Sequence, residues 1–79
     1  MKTMDYTFGI EIETSGVSIE RVKGEFARRG ILGCKVVPDG TPTVDAEIVT
    51  PVYANCQVAR EHLITICDAL AHLGARVNS

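Results

Sequence analysis

The sequence predicts one small α+β domain spanning residues 1–79. A short antiparallel β-sheet of three strands, with the start of a fourth, carries two α-helices on one face in the order β-α-β-β-α. Three observations lead there. Tyr6 to Glu13 alternates with a period of two, Ala46 to Thr50 does the same, and Ala59, Leu63, Ile66, Leu70 and Leu73 recur at helical spacing.

The first strand comes from Tyr6-Thr7-Phe8-Gly9-Ile10-Glu11-Ile12-Glu13. Tyr6, Phe8, Ile10 and Ile12 fall on one side and need something to pack against. Thr7, Gly9, Glu11 and Glu13 fall on the other. Successive residues on one side of a strand stand about 7 Å apart, so the two carboxylates are neighbours, and Gly9 before them leaves room for a close approach. A Glu-x-Glu pair on a strand has two readings, a merely solvated face or a ligand surface. Composition does not choose between them.

Thr14-Ser15-Gly16 reads as a turn, and Ser18 is placed to cap a helix that carries Glu20 in its first turn, where the helix dipole favours an acid. Ile19, Val22 and Phe26 form a narrow apolar stripe, and Gly30 is the expected stop after Arg29. Arg21, Lys23, Arg28 and Arg29 lie elsewhere on this helix, as a solvated face or as a basic patch for an acidic partner. Cys34 to Val37 makes a short strand ended by Pro38-Asp39-Gly40, with Thr41-Pro42-Thr43 lengthening the loop. The third strand, Ala46 to Thr50, stops at Pro51. Asn55 caps the second helix, which runs to about Leu73 and ends at Gly74. Ala75 to Asn78 reads as the opening of a strand.

With both helices on one side, the opposite sheet face stays open and carries Thr7, Gly9, Glu11, Glu13, Lys35, Val37, Glu47 and Val49. Eight basic against ten acidic residues give a net charge of −2, which supports neither a nucleic-acid binder nor a strong mimic of DNA. No run of apolar residues is long enough to cross a membrane, and the opening Met-Lys-Thr-Met-Asp lacks the apolar region of a signal peptide. A cytoplasmic protein is expected. Cys34, Cys56 and Cys67 have neither the number nor the spacing for a disulfide framework or a zinc site, and read as small buried hydrophobes. His62 and His72 stand about 80° apart on one helix, which argues for surface roles rather than a shared metal, and Asp68 with His72 is an ordinary i, i+4 pair. A chain this short has a thin core, so dimerisation would help it.

Three words occur in order: Phe-Gly-Ile-Glu-Ile-Glu-Thr at Phe8 to Thr14, Val-Val-Pro-Asp-Gly at Val36 to Gly40, and Ala-Glu-Ile-Val-Thr-Pro at Ala46 to Pro51. With them the chain resembles the N-terminal part of the phage and bacterial amidoligase family, relatives of glutamine synthetase and glutamate-cysteine ligase. That resemblance implies ATP-dependent joining of a carboxylate to an amine, with Glu11, Glu13 and Glu47 holding magnesium and the nucleotide. The family continues beyond this point into a Cys-Gly-x-His-Val-His motif and basic residues that complete the site. Cys34 also stands where the family has tryptophan. Carboxylate activation needs cations on the triphosphate and an enclosed site as well as metal ligands, so the expectation is a truncated scaffold that is not an enzyme and holds no cofactor.

In size and character the chain is also similar to small phage anti-CRISPR proteins of type I systems. That similarity implies a homodimeric, non-catalytic inhibitor that evades host defence by binding the Cascade surveillance complex and hindering its contact with target DNA. It would bind neither nucleic acid nor membrane directly. Glu11, Glu13, Asp39, Asp45 and Glu47 would then meet arginines and lysines that otherwise hold DNA. The alternatives are a magnesium- and ATP-binding amidoligase part that needs a second chain, and a structural dimer with neither role.

Overall fold

The computed structural model describes residues 7–78, so Tyr6, at the start of the predicted first strand, lies outside the described residues. The elements are β1 (Glu11–Ser15), α1 (Ile19–Arg29), β2 (Lys35–Val37), β3 (Ala46–Val49), α2 (Cys56–His72) and β4 (Arg76–Val77). They form the expected α+β fold, with the C-terminal stretch completing a fourth strand.

The four strands make one sheet in the order β2-β3-β1-β4 with antiparallel neighbours. Ile12 pairs with Ile48, which pairs with Val36, so one row of β-branched residues crosses the middle of the sheet. This row turns inward. It meets Val22 and Phe26 of α1 and Ile66, Ala69 and Leu70 of α2 in a single core, which places both helices on the same sheet face.

Local chemistry sets the helix ends. The Ser18 hydroxyl accepts from the Arg21 N–H, and the Asn55 side chain accepts from Gln57 N–H and Val58 N–H. Gly30 sits at φ 72° and lets the Ile31 N–H reach back to the Phe26 carbonyl. Gly74, at φ 75°, does the same for Ala75 and Leu70. In both cases the left-handed glycine closes the helix in a Schellman-type turn, and buried Ile31 adds the apolar contact that commonly accompanies it.

The first strand differs from its prediction. The alternation of inward and outward residues holds, yet regular pairing starts only at Glu11 and continues through Thr14 and Ser15, which had read as a turn. Pro51 explains the late start. Ile10 and Thr50 are bonded through the Thr50 N–H, and Phe8 and Tyr53 exchange two backbone bonds at 2.9 and 2.7 Å. Between those pairs Gly9 faces both Pro51 and Val52, so the partner chain bulges where proline offers no donor. The Thr50 hydroxyl fills part of the gap by accepting from the Ile10 N–H at 2.9 Å.

Other expectations are corrected by packing. Cys56 and Cys67 are exposed and Cys34 is half-buried, because the inward face of α2 is taken by Ala59, Ile66, Ala69 and Leu70. Asp68 bonds Arg29 on the other helix at 2.8 Å, rather than His72. Arg29 and Arg28 both bond Glu25, which is buried against them, so this part of α1 is a cross-linked corner instead of a solvated face. His62 is half-buried, with Nδ1 bonded to the Tyr53 hydroxyl and its ring edge-on to the Tyr53 ring; His72 is exposed as expected.

Candidate functional site

The sheet face away from the helices is open, and the strand register arranges its side chains. Glu11, Val49 and Lys35 stand in one cross-strand row, and Glu13, Glu47 and Val37 in the next. Glu11, Glu13 and Lys35 are exposed, while Val37, Glu47 and Val49 are half-buried. Glu13 and Glu47 are therefore directly opposite like charges on one face, an arrangement that opposes sheet formation.

The turn after β2 brings a third carboxylate to the pair. Ligand oxygens of Glu13, Asp39 and Glu47 all lie within 4.8 Å of one another. Asp39 sits in an Asp-Gly-Thr turn, with Thr41 two residues on and near enough to influence its carboxyl. Hydrogen bonding to the Thr41 side chain is the main reason its carboxyl titrates below the usual aspartate range, followed by the interaction with Glu47. Glu47 moves the other way. The bond with Asp39 raises its pKa most, followed by desolvation and by the charges of Glu11, Asp39 and Glu13. A cation placed among the three would relieve the repulsion.

The residues expected to bind together divide. Glu13, Asp39 and Glu47 converge. Glu11 shares the face but lies one row away, beside Val49, and is not among the three carboxylates that converge. Asp45 is used by the fold: its Oδ2 accepts from the Gly16 N–H at 2.7 Å and its own N–H donates to the Thr14 carbonyl. Arg76 pairs with Ser15 and lines a polar groove with Glu13, Ser15, Thr41, Thr43 and Asn78 at the β4 edge of the same face. Nothing local in the sequence marks Arg76, because β4 is two residues long and its place beside Ser15 is set by the fold.

Two apolar features lie away from this face. Phe8, Ala59, Leu63, Ile64 and Cys67 line a shallow groove along α2. Phe26, Ile31, Leu32 and Val36 line a second one beside the outer edge of β2, with Lys23 and Lys35 at its rim. Among the described residues no helix is long and apolar enough to cross a membrane.

Comparison with known proteins finds no match to a family model, a curated protein or a solved structure.

Proposed function

We propose that the protein is a non-catalytic inhibitor that docks its open acidic sheet face onto a cationic surface of a partner protein. By size and character, that partner is the Cascade assembly of a type I CRISPR system in the cytoplasm of a bacterial host. The observation that carries this reading is the grouping of Glu11, Glu13, Asp39 and Glu47 on one uncovered face, where Glu13 and Glu47 repel in the free protein.

Such a face is costly alone and gains when arginines or lysines reach it. A protein that holds nucleic acid presents those side chains in a row to grip phosphates. Carboxylates spaced along neighbouring strands meet the same cations and block access to DNA without any chemistry. Steering by opposite charge speeds association, so binding weakens as salt rises.

The test is phage plaquing on a strain with an active type I system, with and without this chain. Restored plaquing with the native chain, lost in a folded variant with alanine at Glu11, Glu13 and Glu47, is the expected result. The Glu47→Lys variant should bind purified Cascade more weakly and more slowly. No restoration across type I subtypes overturns the reading, and unchanged Cascade affinity in Glu47→Lys moves the interface off this face.

The convergence of Glu13, Asp39 and Glu47 favours one second reading, a magnesium and nucleotide site completed by another chain, as the amidoligase resemblance implies. Calorimetric binding of magnesium and ATP that disappears in Glu13→Ala and Glu47→Ala would replace the inhibitor reading with this one.

A further inference from the structure

We infer that two copies of this chain join through the outer edge of β2, making one continuous sheet across a two-fold axis. β2 is an end strand of the sheet, and Lys35–Val37 pairs on one side only, with β3. Among the described residues no other backbone group bonds to it. An open strand edge is a template for another strand. Its brevity and Pro38, which has no N–H, limit pairing to these few residues and block unlimited edge association.

A second copy is the occupant that the charges select. An antiparallel pairing centred on Val36 sets Lys35 opposite the partner's Val37. Lys35 and Val37 lie on the open face, and Asp39, in the turn just past β2, carries its carboxylate to that face beside Glu47, so Lys35 of one copy comes to the edge of the partner's acidic group. The two-fold axis makes the contact twice. Each copy thereby supplies a cation to the edge of the other's Glu13, Asp39 and Glu47 group, which among the described residues forms no salt bridge of its own.

The apolar groove beside the same edge fits this pairing. Leu32 is 79 % exposed at its rim, over Phe26, Ile31 and Val36. Joining the two edges brings the two grooves side by side beneath the extended sheet and gives each Leu32 apolar neighbours. The open faces of the two copies then form one surface of eight strands with the acidic groups repeated across it.

This inference goes beyond the proposed inhibition and does not depend on it. Its test is sedimentation equilibrium of the full chain over about 1 to 100 µM, a range that brackets micromolar dissociation constants. The native chain should dimerise. Lys35→Asp should weaken association roughly 10- to 100-fold by placing like charges together, and Asp39→Lys should do likewise. Combining Lys35→Asp with Asp39→Lys restores the pair with its signs exchanged and should restore the dimer. Circular dichroism checks that every variant is folded. Slower amide exchange at β2 with rising concentration is the matching backbone readout.

A native monomer throughout that range overturns the inference and leaves the β2 edge to a strand from a different protein. A dimer that tolerates Lys35→Asp without loss, or a charge exchange that fails to restore association, overturns it as well. A monomer that still restores plaquing sinks this inference alone.

Discussion

Thr14 offers a sharp test of how the two halves of the sheet are joined. It is fully buried, and its hydroxyl donates to the Ala46 carbonyl at 2.7 Å across the β1–β3 pair. Replacing it with valine keeps the branched shape and removes the donor. The Ala46 carbonyl then loses a partner in a place where water does not reach, at a cost of about 1 to 2 kcal/mol. A chain of 79 residues has total stability on the order of 4 to 12 kcal/mol, so this is a sizeable fraction. Thermal unfolding should fall by roughly 4 to 16 °C, at the usual sensitivity of a small domain. Urea unfolding followed by circular dichroism should show a lower midpoint with an unchanged slope, the sign of lost stability without a change in compactness. Equal or higher midpoints for Thr14→Val would refute the reasoning, because the buried hydroxyl would then contribute nothing that a methyl group cannot.

Three further predictions test the rest of the framework. Ile48→Ala empties the centre of the core row and should cost about 2 to 5 kcal/mol, enough to leave much of the chain unfolded, whereas Ile48→Val should cost about 1 kcal/mol and stay folded; the dispersion of amide NMR signals separates the two. Glu25 is held down to a pKa of about 2 by its hydrogen bonds to Arg28 and Arg29, against an ordinary value of 4.5. Its folded pKa is depressed, so its stabilisation is present above about 4.5 and is lost as pH falls toward about 2. Glu25→Gln should flatten the unfolding midpoint against pH across that window, and an unaltered profile would refute the assignment. Glu47 is shifted the opposite way, chiefly by its bond with Asp39, so its destabilising contribution develops as pH rises through the raised folded pKa. Glu47→Gln should therefore raise the melting temperature at neutral pH, with a gain that shrinks in acid and in high salt; a variant no more stable than the native chain would contradict the repulsion.

Much of the fold can be read from the linear chain, because its signals are local. Ser18, Gly30, Asn55 and Gly74 mark the helix ends through hydrogen bonds and a backbone angle that involve only nearby residues. The alternation from Phe8 to Glu13 and from Ala46 to Val49 fixes which side chains turn inward and which face solvent, and so the membership of the open face. Local reading fails where the deciding partner is distant. Thr14 and Ser15 look like turn residues and become strand because Ala46, Arg76 and Val77 lie beside them.

What the sequence by itself determined is the element order, the helix caps and the acidic character of one sheet face, all of which follow from propensity and period two. Tertiary structure alone decided the register that sets Glu13 against Glu47, the fold of the Asp39 turn onto that pair, and the use of Asp45 to hold the Gly16 N–H instead of joining it. It also decided that Arg29, bonded to Glu25 on its own helix, joins the two helices through Asp68. The physical reason is range. Caps and alternation are settled within a turn or a strand, whereas the meeting of three carboxylates depends on how strands far apart in the chain are aligned, and that alignment is set by burying Ile12, Ile48 and Val36 in one row.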